Sequence, residues 1–296
     1  MSITTICQVL EVAKARRDGA ALFGEHPFED WGGQGRTEGK KSGPVSEVLH
    51  LSRSKSVSLA VNVMTIQTES ELLLVDTGTP ATHDLVQTID KTDERWPLDP
   101  VEYEWSRSKL QSQLKTADAS VKKISKVILT SFDLDHAGGL TRLDRTGRTV
   151  YSFEHAEIFY HANTQQRERP RTVPNADLAA EMIVQNQHHP CWEATEIIPG
   201  VILHPIVGPS LQGCIVEVCR GADRFLYLGD LCPTVYHVNP AVVPAFDDNP
   251  DATYRERNYW IGLAKSKGYK IIFGHGAHIK AAWIQDTKGG LAIKPA

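Results

Sequence analysis

The chain has 296 residues, 41% of them hydrophobic, and a formal charge of −4 from 32 basic and 36 acidic side chains. That length can bury a sizeable core, and the slightly acidic balance leaves no basic footprint for nucleic acid or an anionic membrane. No apolar run approaches the ~20 residues that cross a bilayer, the first residues lack the apolar core of a secretory signal, and the five cysteines include no C-x-x-C pair, so a cytoplasmic protein with reduced thiols is expected.

In chain order, residues 1–46 read as an N-terminal extension and loop. The first part has no decisive periodicity, and 24–45 is dense in glycine and charge. Residues 47–296 read as one domain. EVLHLS (47–52), VSLAVNVMTIQT (57–68) and LLLV (72–75) read as neighbouring short strands. Helical patterns follow in THDLVQTIDKTD (82–93) and SRSKLQSQL (106–114). A buried strand, VILT (127–130), then runs straight into the polar loop SFDLDH (131–136).

The same grammar recurs in TVYSF (149–153), VILHPIV (201–207), CIVEVC (214–219), FLYLGD (225–230) and KIIFGHG (270–276). Several of these strands end at a carboxylate or an imidazole, which is how an α/β scaffold gathers reactive groups at one edge of its sheets. Residues 164–196 read as an insertion with a helical piece around 176–187.

The segment Ser131-x-Asp133-x-Asp135-His136-x-Gly138-Gly139 resembles the H-x-H-x-D-H-x-G-G signature of the metallo-β-lactamase superfamily, and the resemblance extends from about residue 50 to 285. It implies an α/β fold, an αββα sandwich of two mixed β-sheets flanked by helices. It also implies that Asp76, in LLLVDTG, orients the metal loop, and that Asp135, His136, Asp230 in YLGD and His275 in FGHG are metal ligands.

The other metal position of that family is depleted, with Ser131 and Asp133 in place of histidines and Leu211 or Gln212 in the stretch where the third-motif histidine is expected. A mononuclear site is therefore expected. Its two nitrogens and two carboxylates suit Zn2+, with Mn2+ or Fe2+ as alternatives.

The run GDLCPTVYHV is similar to the lactonase-like branch. The pattern Ser131-x-x-x-Asp135-His136 resembles a single-metal dehalogenase branch that displaces chloride hydrolytically from activated aromatic rings. The expected activity is hydrolysis by metal-activated water at an electron-poor aromatic carbon, with lactone or ester opening as the alternative. An oxygenase and a non-enzymatic binding protein are further readings.

Two carboxylate ligands offset the charge of a divalent ion, so the substrate is expected to be small, neutral and activated. Asp133 is the candidate base, because like charges and burial raise a carboxyl pKa toward the range of a general base. Ser131 and His237 complete the catalytic candidates. Ser131 has a hydrogen-bonding loop role as its plainer reading, and His237 a turn-fixing one. Phe132, Tyr227, Tyr236, Trp260 and Trp283 either form an apolar substrate wall or pack in the core. Cys232 is expected to be a buried, inert thiol, while His155, His161, His188, His189 and His204 carry no assigned role. The resemblance also implies a homodimer.

Overall fold

Strand pairing among the described residues builds two large sheets and a small hairpin, and the chemistry-bearing residues sit where the parallel strands of each large sheet end. The structure, a computed structural model, describes residues 5–24, 44–80, 102–104, 109–163, 188–209, 213–245, 247–287 and 290–296.

The N-terminal half begins with β1 (Ile6–Arg17), α1 (Gly19–Phe23), α2 (Pro44–Ser52), β2 (Val57–Gln67), β3 (Leu72–Val75), β4 (Glu102–Glu104) and α3 (Lys109–Thr116). It continues through β5 (Lys126–Leu129), α4 (Leu134–Ala137), β6 (Thr141–Leu143), β7 (Thr149–Tyr151), β8 (Glu157–His161) and β9 (His188–Cys191). The C-terminal half contains β10 (Thr195–Ile198), β11 (Val201–Pro205), β12 (Cys214–Arg220), β13 (Asp223–Tyr227), β14 (Lys270–Ile272), β15 (Ala281–Thr287) and β16 (Gly290–Pro295). A long helix, α5 (Pro250–Lys267), connects β13 to β14.

The first seven-stranded sheet has the order β4-β1-β2-β3-β5-β8-β9, the second runs β10 through β16 in sequence order, and β6 and β7 form a separate hairpin. Each large sheet mixes the two pairings. Strands β3, β5, β8 and β9 are mutually parallel, as are β13 and β14, and the other pairs within the large sheets are antiparallel. Met64, Leu73 and Ile128 of the first sheet meet Leu203, Val216 and Ile272 of the second in a continuous buried layer. Leu110 and Leu114 of α3 cover the outer face of the first sheet, and Trp260, Ile261 and Ala264 of α5 cover that of the second. Helix, sheet, sheet, helix is the layering expected from the sequence.

Local sequence explains why α5 forms where it does. Asn249 caps it by accepting from the Ala252 amide at 3.1 Å, Pro250 occupies its first turn, and Gly268 ends it in the left-handed region at φ 69°. Among the described residues no helix is long and apolar enough to cross a membrane.

Three expectations are corrected. EVLHLS is not a strand but the body of α2. Its Val48 and Leu51 stand on one helical face against Leu22 and Phe23, a 3.6-residue period that a six-residue window does not separate from alternation. Residues 6–17 are not an extension, because β1 pairs with β2 from Ile6–Gln67 to Arg17–Val57; the division at 46 therefore cuts through the first sheet. The stretch 164–196 contains the edge strand β9, beside β8, and the first two residues of the edge strand β10, beside β11. The helices expected over 82–93 and 176–187 lie outside the described residues, whereas α3 falls within the expected 106–114 pattern except for its last turn.

If β1 is part of the domain, a chain shortened to begin at Asp18 exposes the full hydrogen-bonding edge of β2 and loses cooperative folding. Thermal unfolding followed by circular dichroism is expected to become broad and weak. A sharp transition at the full-length temperature would restore the extension reading.

Candidate metal centre

Four strand ends converge on the site: β3 leads into Asp76, β5 into the loop of Thr130 to His136, β13 into Gly229 and Asp230, and β14 into Gly274 and His275. Carboxyl ends of parallel strands are where α/β sheets place their ligands.

The first of these ends is built around a buried carboxylate. Asp76 adopts φ 60°, a left-handed conformation uncommon for a residue with a Cβ. Its Oδ1 accepts from the Thr130 amide at 2.8 Å and its Oδ2 from the Thr130 hydroxyl at 2.7 Å. The same Oδ2 lies 3.0 Å from the Tyr227 hydroxyl and 2.8 Å from Nδ1 of His136. Asp76 therefore orients His136 rather than reaching a metal, as its motif implied.

The helical turn α4 is held from the other side. The His136 carbonyl accepts from the Thr77 amide at 2.6 Å and from the Thr77 hydroxyl at 2.9 Å. This contact demands glycine at 139, where an added Cβ would lie 2.3 Å from the Thr77 carbonyl oxygen.

With Nδ1 donating to Asp76, Nε2 of His136 is turned inward. That atom is buried and makes no well-formed hydrogen bond, although Asp230 Oδ2 lies 3.3 Å away and Asp135 Oδ1 3.8 Å away. His275 repeats the arrangement. Its Nδ1 lies 3.0 Å from the carbonyl oxygen of Ala60, which can only accept, and its Nε2 lies 3.1 Å from Asp230 Oδ1 and 3.7 Å from Asp135 Oδ2.

Both rings thus face the two carboxylates with the nitrogen that their outer partners leave available. The rings stand perpendicular, their centroids 5.4 Å apart. One ligand atom from each of Asp135, His136 and His275 falls within 4.8 Å of the others. Locking the outer nitrogen of each histidine and aiming the inner one is the arrangement that fits a divalent cation.

The electrostatics agree with that geometry. Burial opposes charging His136, but Asp230, Asp76 and Asp135 outweigh it and hold its pKa well above the usual histidine range. His275 is raised as well, with burial again opposed by the hydrogen bond and charge of Asp230 and by the charge of Asp135. Burial works to raise Asp230, yet the two imidazoles hold its carboxyl well below the ordinary range. The carboxylates thus favour positive charge at the two inner nitrogens, whether a proton or a divalent cation supplies it.

The other candidates divide. Asp133 stands in the same field: burial first, then Asp230 and Asp135, raise its pKa. Ser131 Oγ accepts from the Asp133 amide at 3.0 Å, a loop-fixing role. His237 does not fit the expected approach to substrate. It is fully buried, with Nδ1 2.8 Å from the Thr234 hydroxyl, Nε2 3.0 Å from the Leu22 carbonyl and its ring stacked on Phe23. Burial and the charge of Arg257 push its pKa down to about 3, so it is a neutral internal brace. Cys232 is a fully buried thiol that burial pushes up to about 12.

Each of the five aromatic candidates has contacts of its own. Phe132 packs edge-on against Tyr160, Tyr227 lies in the core, Tyr236 donates to Glu47, Trp260 packs against His204, and Trp283 lies under Lys270 and Lys294. Leu211 and Gln212 lie outside the described residues.

Three supporting residues were missed as such. Tyr227, considered only as wall or core, ties the Asp76 carboxylate to the Asn62 carbonyl. Asn62 itself donates to the carbonyls of Phe273 and Gly276, both at 3.0 Å, and so fixes the loop of His275. A polar side chain inside the apolar run of β2 was the available signal. Arg257 is fully buried beneath the Asp230 loop, and nothing in the sequence around it marks it.

Comparison with known proteins bears on the whole domain. The family model of the Metallo-beta-lactamase superfamily matches residues 58–275, and no curated protein matches. A probable metal-dependent hydrolase from Staphylococcus aureus superposes with a TM-score of 0.73 at 21% identity, over 100% of this chain and 99% of that one. AidC, a dizinc quorum-quenching lactonase in complex with a product, gives 0.68 at 14% identity over 100% and 97%. An N-acyl homoserine lactone hydrolase with N-hexanoyl-L-homoserine bound at its catalytic metal centre gives 0.64 at 16% over 94% and 95%. At these identities the likeness is one of fold.

Raised histidine pKa values have a direct consequence for metal uptake. A divalent cation held by His136 and His275 would have to displace protons that both rings retain to higher pH than free histidine, so the apparent affinity for added zinc is expected to climb through the histidine range and beyond it. Chelator competition at stepped pH measures this. A flat profile would contradict the assignment of the two rings as ligands.

Proposed function

The chain belongs to the metallo-β-lactamase superfamily, and from that premise we propose that it is a hydrolase using one divalent ion, held by Asp135, His136, Asp230 and His275, on a small neutral substrate. The observation that carries this reading is the pair of Nε2 atoms aimed at two carboxylates, each ring locked from behind by Asp76 or Ala60. The single-ion reading rests on Ser131 and Asp133, neither of them a histidine, and on the finding of one His/Cys/Asp/Glu cluster among the described residues. Two nitrogens with two carboxylate oxygens favour zinc, with manganese or ferrous iron as alternatives.

A divalent ion bound there supplies Lewis acidity that brings the pKa of water from about 15.7 toward about 7. The chain's own groups do the rest. Asp76 and the Ala60 carbonyl keep both Nδ1 atoms occupied, so the rings present only Nε2 to the site. Asp133 takes the proton from the attacking water onto its carboxylate, its basicity lifted by burial and by the neighbouring charges of Asp230 and Asp135.

Those carboxylates repel anionic substrates and favour a neutral, activated one. Among such substrates a lactone or ester is favoured, since the solved relatives of similar fold include lactonases carrying their products. Hydrolytic displacement at an electron-poor aromatic carbon is the second reading, carried by the spacing of Ser131 and Asp135-His136.

Elemental analysis of the purified protein is expected to find one zinc per chain, with acid released from lactones or activated esters. Halide release from activated aryl halides without acid release would move the assignment to the second reading, and protein that takes up no stoichiometric metal would sink both. Asp133→Asn is expected to keep its metal and lose turnover by about 10²- to 10⁴-fold. Near-full turnover would remove Asp133 from the proton-handling role.

A further inference from the structure

We propose that Arg257, on the inner face of α5, is a positioning residue that clamps the 229–242 loop and thereby sets the place of Asp230; this rests on the metal-site reading above. The guanidinium is fully buried. Its Nε donates to the Leu231 carbonyl at 2.6 Å, one residue after Asp230, and its Nη1 donates to the Val242 carbonyl and reaches that of Pro240 at 3.5 Å. One side chain therefore holds both ends of the loop that runs from the metal-facing carboxylate through the Pro-Thr-x-x-His segment.

Its charge is not matched in the usual way. Among the described residues no carboxylate hydrogen-bonds the guanidinium, and Nη2 is buried without a hydrogen-bond partner. Asp247 acts on it only through its charge, and its own Oδ2 is likewise buried and unbonded. A buried, unpaired guanidinium is a poor device for stability, and an apolar side chain of similar volume often serves the fold as well. What an apolar side chain cannot do is donate along fixed directions to separate carbonyls.

The clamp has a rigid base and a connected target. Helix α5 is anchored through Trp260, Ile261 and Ala264 to the second sheet. The loop it grips also accepts, at Pro233, the backbone amide of His275 at 2.8 Å. Two of the four proposed ligands thus hang on the segment that Arg257 fixes. Displacement of that loop by a fraction of an ångström moves Asp230 relative to the Nε2 atoms of both histidines, and ligand geometry governs metal affinity.

Arg257→Met and Arg257→Lys in the full-length chain test this, with zinc affinity read by chelator competition and thermal unfolding followed in parallel. Leu114→Ala, in the helix layer on the far side of the first sheet, supplies a destabilised variant that does not touch the loop. Both Arg257 variants are expected to hold zinc about 10- to 100-fold less tightly, and Leu114→Ala to hold it as tightly as the unsubstituted chain. Unchanged affinity in the Arg257 variants, or an equal loss in Leu114→Ala, overturns the proposal.

An unsubstituted chain that binds no stoichiometric zinc would fail the metal-site reading first, before any substitution is made, and the clamp with it. Should both Arg257 variants fail to fold, hydrogen exchange in the unsubstituted chain decides. Zinc is then expected to slow exchange across 229–242 together with α5 around Arg257, and protection confined to the ligand residues overturns the clamp.

Discussion

The buried carboxylate of Asp76 is the constraint on which the candidate site depends. It joins the end of β3 to the end of β5 through Thr130, to the second sheet through Tyr227, and to the site itself through Nδ1 of His136. A carboxylate taken out of water is costly unless donors surround it, and Asp76 is supplied by an amide, two hydroxyls and an imidazole. The left-handed backbone at this position is held by the same contacts, which is where strain of this kind is tolerated. Removing the charge would therefore take a partner from the Thr130 hydroxyl and the His136 imidazole together, while the Tyr227 phenol keeps the Asn62 carbonyl.

From that point inward each ligand is fixed by something that is not a ligand. His136 is held by Asp76 and by Thr77 on its carbonyl, and His275 by Ala60 and, through its amide, by Pro233. Both histidines are almost closed to solvent, whereas the side chains of Asp135 and Asp230 keep 17% and 29% of their surface. The side of the cluster open to solvent is therefore that of the carboxylates, with the imidazoles as its floor. A cation at that level would be met first by neutral or electron-rich polar groups, because an anion must pass the carboxylates to reach it.

Much of this was legible because a strand that ends in a reactive residue leaves two coincident signals, a buried apolar run and an abrupt polar stop. LLLV before Asp76, VILT before Ser131, FLYLG before Asp230 and KIIFG before His275 all read correctly. What failed to read has physical causes. In α2, Val48 and Leu51 alone could not establish a period. Strand β9, HHPC, carries an exposed proline and two half-buried histidines, as suits an edge of the sheet. His237 read equally as a substrate-reaching group and a turn-fixing one, and only the packing of α1 reveals that Leu22 and Phe23 occupy its outer face. Arg257 was invisible because its partners are backbone carbonyls, which leave no mark on sequence.

The supports also explain how one metal position can be altered while the other stands. The side chains that hold His136 and His275, namely Asp76, Thr77, Asn62 and Tyr227, sit on β2, β13 and the end of β3, outside the 131–133 segment. Ser131 spends its hydroxyl on the Asp133 amide, a contact within the loop that leaves Thr130 and its bond to Asp76 in place. On the single-ion reading, non-histidine side chains at 131 and 133 leave these supports in place, and the Asp133 carbonyl accepts the His136 amide at 3.0 Å whatever side chain the position carries. A carboxylate at 133 then stands close to the remaining centre without having to bind at it, and there its retained basicity becomes useful.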